Sequence, residues 1–387
     1  MRLLLVSTEL PEPSRGGSKC LHRLLIGIPG MEVEVLTHER TEISWPWPVH
    51  RARRGWLFYK YWHSRFGTRL QNASLAHGWE LPSQAALRIV RAARPDFILT
   101  VAYGPALVSA RRLAEHANLP LVSLFMDWWP DLACIHLGAP RSSHAALERE
   151  FIRLHAASRV SFHFSQGMQD ELGARPGDAV LLPAGGEALP ASAPGDPSVL
   201  AYAGLATGMY AESFAAVVTS GSRRPGDRME IMGPGLPQTL SGGLPPGVRH
   251  HGFLRGDEYA EILGRAGALL VVLPFDAENR RLTRTSFSLK FAEYCRLGRP
   301  IIIWGPPEAA IVRFATETSS ALVVTNSRAD DVWAAFQRLQ GQPALAASLA
   351  DGALRAHSRY FATKVVQALF ADTLEAALSQ CTRNPLS

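Results

Sequence analysis

Cysteine is scarce in this 387-residue sequence. Four residues, Cys20, Cys134, Cys295 and Cys381, lie far apart and never form a C-x-x-C pair. That excludes a disulfide-stapled scaffold and a zinc knuckle, and it suits a reducing cytoplasm. No apolar run approaches the roughly 18 residues of a membrane-spanning helix. The longest, 266–275, is short and contains Pro274. The opening MRLLLVSTE has four consecutive apolar residues before Ser7, whereas an export signal needs about 7–15. It reads as a buried first strand. No Asp-x-Asp occurs, so the usual carboxylate pair for a divalent ion on a diphosphate is missing. His250 and His251 are adjacent rather than at ligand spacing. No catalytic metal and no resident cofactor are expected. Charged residues make up only 19%, but 47% hydrophobic content excludes a largely disordered chain. The net charge of +6 permits an anionic ligand or membrane surface and does not demand nucleic acid.

What is present is alternation. Short aliphatic runs at 2–7, 33–37, 96–101, 121–125 and 159–164 occupy the first half; 199–204, 228–233, 268–273, 300–304 and 321–325 occupy the second, with 248–253 a weaker candidate. Amphipathic stretches of helix length lie between them, at 80–93, 105–117, 144–156, 256–265, 286–297 and 328–340. This pattern predicts α/β architecture with parallel sheets covered by helices on both faces. The Gly/Pro/Ala/Ser-rich segment 184–198 is the expected linker. The expected organisation is a Rossmann-like domain over 1–185, a second over 198–362, and a C-terminal helix in 363–387 returning to the first. In doubly wound sheets, ligands bind where strands end and helix N-termini converge.

After the first strand comes STELPEPSRGG (7–17), not the G-x-G-x-x-G of a dinucleotide dehydrogenase. Gly16 and Gly17, just before a helix, can let backbone N–H groups approach a phosphate or sugar, or can be a plain turn. The stretch 280–304 is more informative. A helix from about Ser286 puts Phe287, Phe291 and Tyr294 on one stripe, for the core. It puts Ser286, Lys290 and Glu293 on another. Arg280, Arg281 and Arg284 precede its positively polarised tip, which suits a diphosphate. Glu293 can accept hydrogen bonds from a ribose diol. A Lys290–Glu293 surface pair, worth roughly 0.3 kcal/mol, is the plainer alternative.

The segment S-F-S-L-K-F-A-E-Y-C-R-L-G-R-P-I-I (286–302) resembles the donor-site helix of GT-B-fold glycosyltransferases, particularly family 4. That family's pattern is Glu, seven residues, Glu, then a Gly-containing turn into a strand. Glu293 matches the second Glu, which in the family holds the nucleotide ribose; Thr285 occupies the first Glu position, which contacts the transferred sugar. A bacterial branch reading S-F-P-S-K-x-x-E-Y is similar. M-D-W-W-P-D-L (126–132), 147–160 with Ser165 to Met168, Y-A-G-L-A-T-G (202–208) and 251–274 resemble further segments in the expected order. The resemblance implies two Rossmann-like domains, a nucleotide-sugar donor and a sugar or lipid-linked sugar acceptor. Retention of configuration follows by analogy.

The expected donor side comprises Gly16, Gly17, Gly204, Thr207, Gly208, Gly233, Phe253, Arg284, Thr285, Ser286, Phe287, Ser288, Lys290 and Glu293. The loop 203–213 has neither Arg nor Lys, unlike much of the family. Thr207 and Gly208 are left as N–H donors there, and Lys290 with one of Arg280, Arg281 or Arg284 is expected to take over the diphosphate. Phe253 is a candidate base platform or a core aromatic. The expected acceptor side comprises Tyr103, Asp127 and Trp128: Asp127 can position or deprotonate a hydroxyl, or be a structural carboxylate near the Trp128-Trp129-Pro130 turn, with Tyr103 and Gly104 lining the same pocket. Asp127, Lys290 and Glu293 are the candidate catalytic groups. A nucleotide-sugar 2-epimerase and a non-catalytic transferase-like scaffold are the competing functions.

Residues 43–79 contain no Asp or Glu. Aromatics from Trp45 to Phe66 alternate with basic residues from Arg51 to Arg69. Such a stretch suits the lipid–water boundary of an anionic membrane at 45–69, on the inner face of the cytoplasmic membrane. It equally suits packing on the first domain with solvated arginines.

Overall fold

The computed structural model describes residues 1–13, 16–37, 46–52, 64, 66–76, 82–189 and 194–383. It falls into two compact units, 1–182 with 367–387 and 183–366. The first unit is a seven-stranded sheet of β1 (Arg2–Val6), β2 (Glu32–Thr37), β3 (Val49–Arg51), β4 (Phe97–Val101), β5 (Leu121–Phe125), β6 (Val160–His163) and β7 (Ala179–Val180). Its order is β3-β2-β1-β4-β5-β6-β7, and every pairing is parallel. All five residues of both β4 and β5 are buried. Successive strand residues point to opposite faces, so both faces of these central strands are covered.

The helices that follow the strands end where their sequences direct. Ser83 accepts a hydrogen bond from the Ala86 N–H to start Gln84–Ala93, and Arg94 in the left-handed region (φ 47°) stops it. The final helix, Thr363–Arg383, belongs to the first unit from Gln367 onward. There the Gln367 amide donates to the carbonyls of Arg23, Leu24 and Ile26 at 3.0, 3.3 and 2.8 Å. Those carbonyls close the helix Gly16–Leu25, whose last turn leaves them without intrahelical donors. Phe370 packs on Phe162 at 4.8 Å between ring centroids.

The second unit carries β8 (Asp196–Ala203), β9 (Arg228–Met232), β10 (Val248–His250), β11 (Ala266–Val272), β12 (Ile301–Trp304) and β13 (Leu322–Val324). The order is β10-β9-β8-β11-β12-β13, again all parallel. Tyr202, Phe214, Trp304, Trp333 and Phe336 fill the core on one side of this sheet. Burying one such ring contributes about 1.5–3 kcal/mol.

Three details differ from the sequence reading. β3 and β7 form at the sheet edges from runs of three and two residues, too short for a hydrophobic period to register. The described ends of 184–198 are tied into structure: Gly185 donates to the Phe361 carbonyl at 2.8 Å, Gly186 bridges Ala362, and β8 already begins at Asp196, while 190–193 lie outside the described residues. The expected helix from Ser286 is two helices, Arg280–Thr285 and Leu289–Cys295. Ser286 and Ser288 between them are extended, at ψ 145° and 118°. No helix among the described residues is long and apolar enough to cross a membrane.

Candidate active site

In both sheets the strand order reverses beside the first strand of the unit, between β1 and β4 and between β8 and β11. Loops leave such a point in opposite directions and open a crevice at the strand ends. In the second unit that place is built from glycines. Gly204 follows β8 with φ +130°, where an L side chain is strained. Its N–H donates to the Met232 carbonyl at 2.7 Å. A Cβ on Gly233 would meet the Gly204 carbonyl oxygen at 2.2 Å. Gly233 in turn donates to the Gly252 carbonyl at 2.8 Å and accepts from the His250 Nε2–H at 3.0 Å. Its backbone groups are thus engaged within the protein, and its contribution is to let β8 and β9 end close together.

Lys290 fills the space under that turn. A Cβ on Gly204 would lie 2.4 Å from Lys290 Cε. The ammonium donates to Tyr202 Oη at 2.6 Å and sits 4.2 Å from the Tyr202 ring and 4.9 Å from the Tyr210 ring. Tyr202 Oη donates onward to the Leu205 carbonyl. The residue as a whole is half-buried, and the ammonium lies beside both rings. Its desolvation lowers the pKa to about 7. The helix Leu289–Cys295 is pinned here by Tyr294, whose buried hydroxyl accepts the Ala203 N–H at 2.7 Å. Glu293, one turn after Lys290, is 7% exposed.

The other donor-side candidates divide. Thr207 and Gly208 stand at the start of the short helix Gly208–Tyr210, with Gly208 exposed at φ +61°. Phe253 is 54% exposed, with the Arg255 guanidinium 4.9 Å over its ring. It is an exposed ring and not a core aromatic. Phe287 is buried among Phe291, Phe314 and Phe361 at 5.4–6.1 Å. Thr285 is 0% exposed, and its hydroxyl donates to the Arg281 carbonyl at 2.8 Å. Arg280 pairs with Glu308 at 2.7 Å, and Arg284 is half-buried in the same helix. Ser286 and Ser288 are half-buried in the extended break.

In the first unit, Asp127 follows β5 and accepts a hydrogen bond from Tyr103 Oη, which follows β4. Burial, then the Asp127 charge beside it, hold the Tyr103 phenol well above its ordinary pKa. Gly104, at φ +54°, leaves Thr8 Oγ1 only 3.1 Å from where a Cβ would be. Gly17 lies against Glu9 and Met126, and Gly16 faces open space. Trp128 is 3% exposed and packs on Phe151 at 5.0 Å, so it is a core aromatic. Of the basic aromatic stretch, Trp45, Trp56, Phe58, Tyr59, Tyr61, Trp62, Arg53, Arg54, Lys60 and Arg65 lie outside the described residues. Arg51 and Arg69 are exposed, and Phe66 is 47% exposed.

The sequence reading missed Tyr202 and Tyr210 around Lys290, because Tyr202 sits inside a run that reads as core strand. Among the described residues, one group has metal-ligand character: His155, His163 and Asp178. Asp178 is already held by His155 at 3.1 Å, by Arg175 at 3.0 and 3.1 Å, and by the Ser161 N–H at 2.8 Å. Burial raises its pKa, but those donors outweigh it and hold the carboxyl below the usual range. A cation there would have to displace the Arg175 guanidinium.

The sequence matches no protein-family model and no curated protein. The fold is shared with solved structures. Anabaena Alr3699/HepE in complex with UDP aligns with a TM-score of 0.67 at 14% identity, over 97% of this chain and 100% of that one. Sucrose-phosphate synthase (tll1590) from Thermosynechococcus elongatus gives 0.65 at 13%, over 98% and 99%. The α,α-trehalose 6-phosphate synthase from Burkholderia multivorans gives 0.65 at 12%, over 100% and 98%. The chain therefore has the GT-B fold, two Rossmann-like parallel-sheet units.

Proposed function

We propose that this protein is a metal-independent glycosyltransferase that moves a sugar from a nucleotide-sugar donor to a hydroxyl acceptor. The observation that carries the reading is Lys290. A desolvated amine is held at the end of β8 under Gly204, one helical turn before Glu293. The loop after β8 lacks its own cation, and Lys290 supplies one at the same place from a different element. Alr3699/HepE, which shares the fold, was solved with UDP, with UDP-glucose, and with UDP and glucose.

In this reading the diphosphate lies against Lys290, the N–H groups of Thr207 and Gly208, and Arg284. Glu293 accepts from the ribose diol, and Phe253 stacks on the base. As the bond from the anomeric carbon to the diphosphate oxygen breaks, charge grows on that oxygen, and the ammonium stabilises it. The acceptor oxygen bonds to the anomeric carbon in its place, and Asp127, oriented by Tyr103, holds that hydroxyl and takes up its proton. Thr285 is given no part in sugar binding, since it is fully buried and its hydroxyl donates to the Arg281 carbonyl. Retention of configuration, a role in cell-surface polysaccharide or glycolipid assembly, and a cytoplasmic location at the inner membrane face through 45–69 belong to the same proposal.

A thermal-shift panel of nucleoside diphosphates and their sugars tests it. The expected result is a rise in unfolding temperature with one base, lost in Glu293→Ala. No stabilisation by any of the panel would refute the reading. Conversion of a donor sugar without any acceptor would instead identify an epimerase.

A further inference from the structure

We infer that the first unit carries an acceptor subsite built on two carboxylates, Glu9 and Asp127, which binds adjacent hydroxyls of a neutral sugar ring and rejects an anionic one. The inference deepens the proposed function and rests on it for the reaction, though not for the binding itself.

The groups come from three strand ends. β1, β4 and β5 are neighbours around the reversal in strand order. Glu9 lies just past β1, Tyr103 past β4 and Asp127 past β5. Each carboxylate has a dedicated neutral donor: Ser18 Oγ donates to Glu9 Oε1, and Tyr103 Oη donates to Asp127 Oδ2. Gly17 brings the two halves together. A Cβ there would lie 3.6 Å from both Glu9 Oε1 and Met126 Sδ, and Met126 precedes Asp127. The Tyr103 phenol feels the charge of Asp127 and, more weakly, of Glu9.

Both carboxylates are half-buried. Among the described residues neither forms an ion pair, although the chain carries a net charge of +6. A hydroxyl satisfies one oxygen of each and leaves the other as an acceptor. Beside them stands Trp129, 9% exposed, whose ring is 5.4 Å from that of Tyr103. Its buried indole N–H has no acceptor among the described residues, and a buried donor calls for one. Two charged acceptors and one donor are the complement of a polyol: ring hydroxyls donate to the carboxylates, and a ring or hydroxyl oxygen accepts from Trp129. The aromatic pair offers an apolar face to the ring's C–H groups. A uronate or a phosphorylated ring would bring like charge to two carboxylates that form no ion pair among the described residues.

The test uses the full chain and calorimetric titration with neutral methyl hexosides and the corresponding methyl hexuronides. The expected result is binding of at least one neutral hexoside, with its uronide weaker by about ten-fold or more. Glu9→Gln and Asp127→Asn should each weaken the neutral ligand about ten-fold and narrow the gap to the uronide. Ser18→Ala, which leaves both charges in place, should weaken it less. UDP-induced stabilisation should be unchanged in all three. Equal binding of uronide and hexoside, no binding of any hexoside, or Glu9→Gln and Asp127→Asn proteins with unaltered affinity would each overturn the subsite. Loss of UDP stabilisation in the wild type with hexoside binding intact would strike the proposed function alone.

Discussion

A diphosphate placed against Lys290 should draw a proton onto the protein. Desolvation between Tyr202 and Tyr210 brings the amine to about pKa 7. At pH 8 about one-tenth of the molecules then carry the ammonium. An anion at hydrogen-bond distance favours the charged form, and a pKa returned to about 9 would leave about nine-tenths protonated at pH 8. The difference is an uptake of about 0.8 proton per UDP at pH 8. At pH 6 the amine is already about nine-tenths charged, and the uptake falls to about 0.1. Calorimetric titration of UDP in two buffers of different ionisation enthalpy measures this directly. Lys290→Met should abolish the pH 8 uptake and weaken UDP by about 1.5–3 kcal/mol, the worth of a charged hydrogen bond. The same lysine has a stability consequence. Between about pH 7 and 10.5 the unfolded chain holds more protons than the native one, so stability rises with pH across that window, and the substitution flattens the slope. Equal uptake at pH 6 and 8, or uptake that persists in Lys290→Met, would refute the assignment.

Three further outcomes follow from the packing. His163 is fully buried, and burial lowers its pKa from 6.5 to about 4. The unfolded chain therefore takes up a proton below pH 6.5 that the native one does not, and stability falls with pH between 6.5 and 4. Denaturant unfolding at pH 7 and 5 should show a loss of about 2 kcal/mol that His163→Phe removes. Gly233→Ala forces a Cβ onto the Gly204 carbonyl oxygen at 2.2 Å. A backbone shift of that kind should cost about 1–3 kcal/mol, read as a lower melting temperature. Gln367→Ala deletes three hydrogen bonds to the end of the first helix. Loss of a side chain satisfying buried carbonyls should cost about 1–3 kcal/mol, measured by urea unfolding.

Much of the architecture was legible because strands buried on both faces produce unbroken aliphatic runs. PIIIW and ALLVVL needed no context to be read as central strands of a parallel sheet. Edge pairings such as β7, two residues long, depend on a neighbour already in place. The break at 286–288 was invisible for a similar reason: the helical period of Phe287, Phe291 and Tyr294 survives it, since Phe287 reaches the same aromatic cluster from an extended backbone. Lys290 could be singled out from its spacing to Glu293, but not its partners. Tyr202 and Tyr210 lie about 80–90 residues away in sequence, and only the parallel crossover brings them under the same turn. Glu9 and Ser18 were passed over because their pairing depends on how the loop after β1 folds back on the next helix.

The backbone passes from the first unit to the second at 182/183 and returns at 366/367. During synthesis, the early sheet must therefore wait for the entire later unit before Gln367 and Phe370 arrive to close over it. The half translated earliest is therefore completed only by the residues translated last.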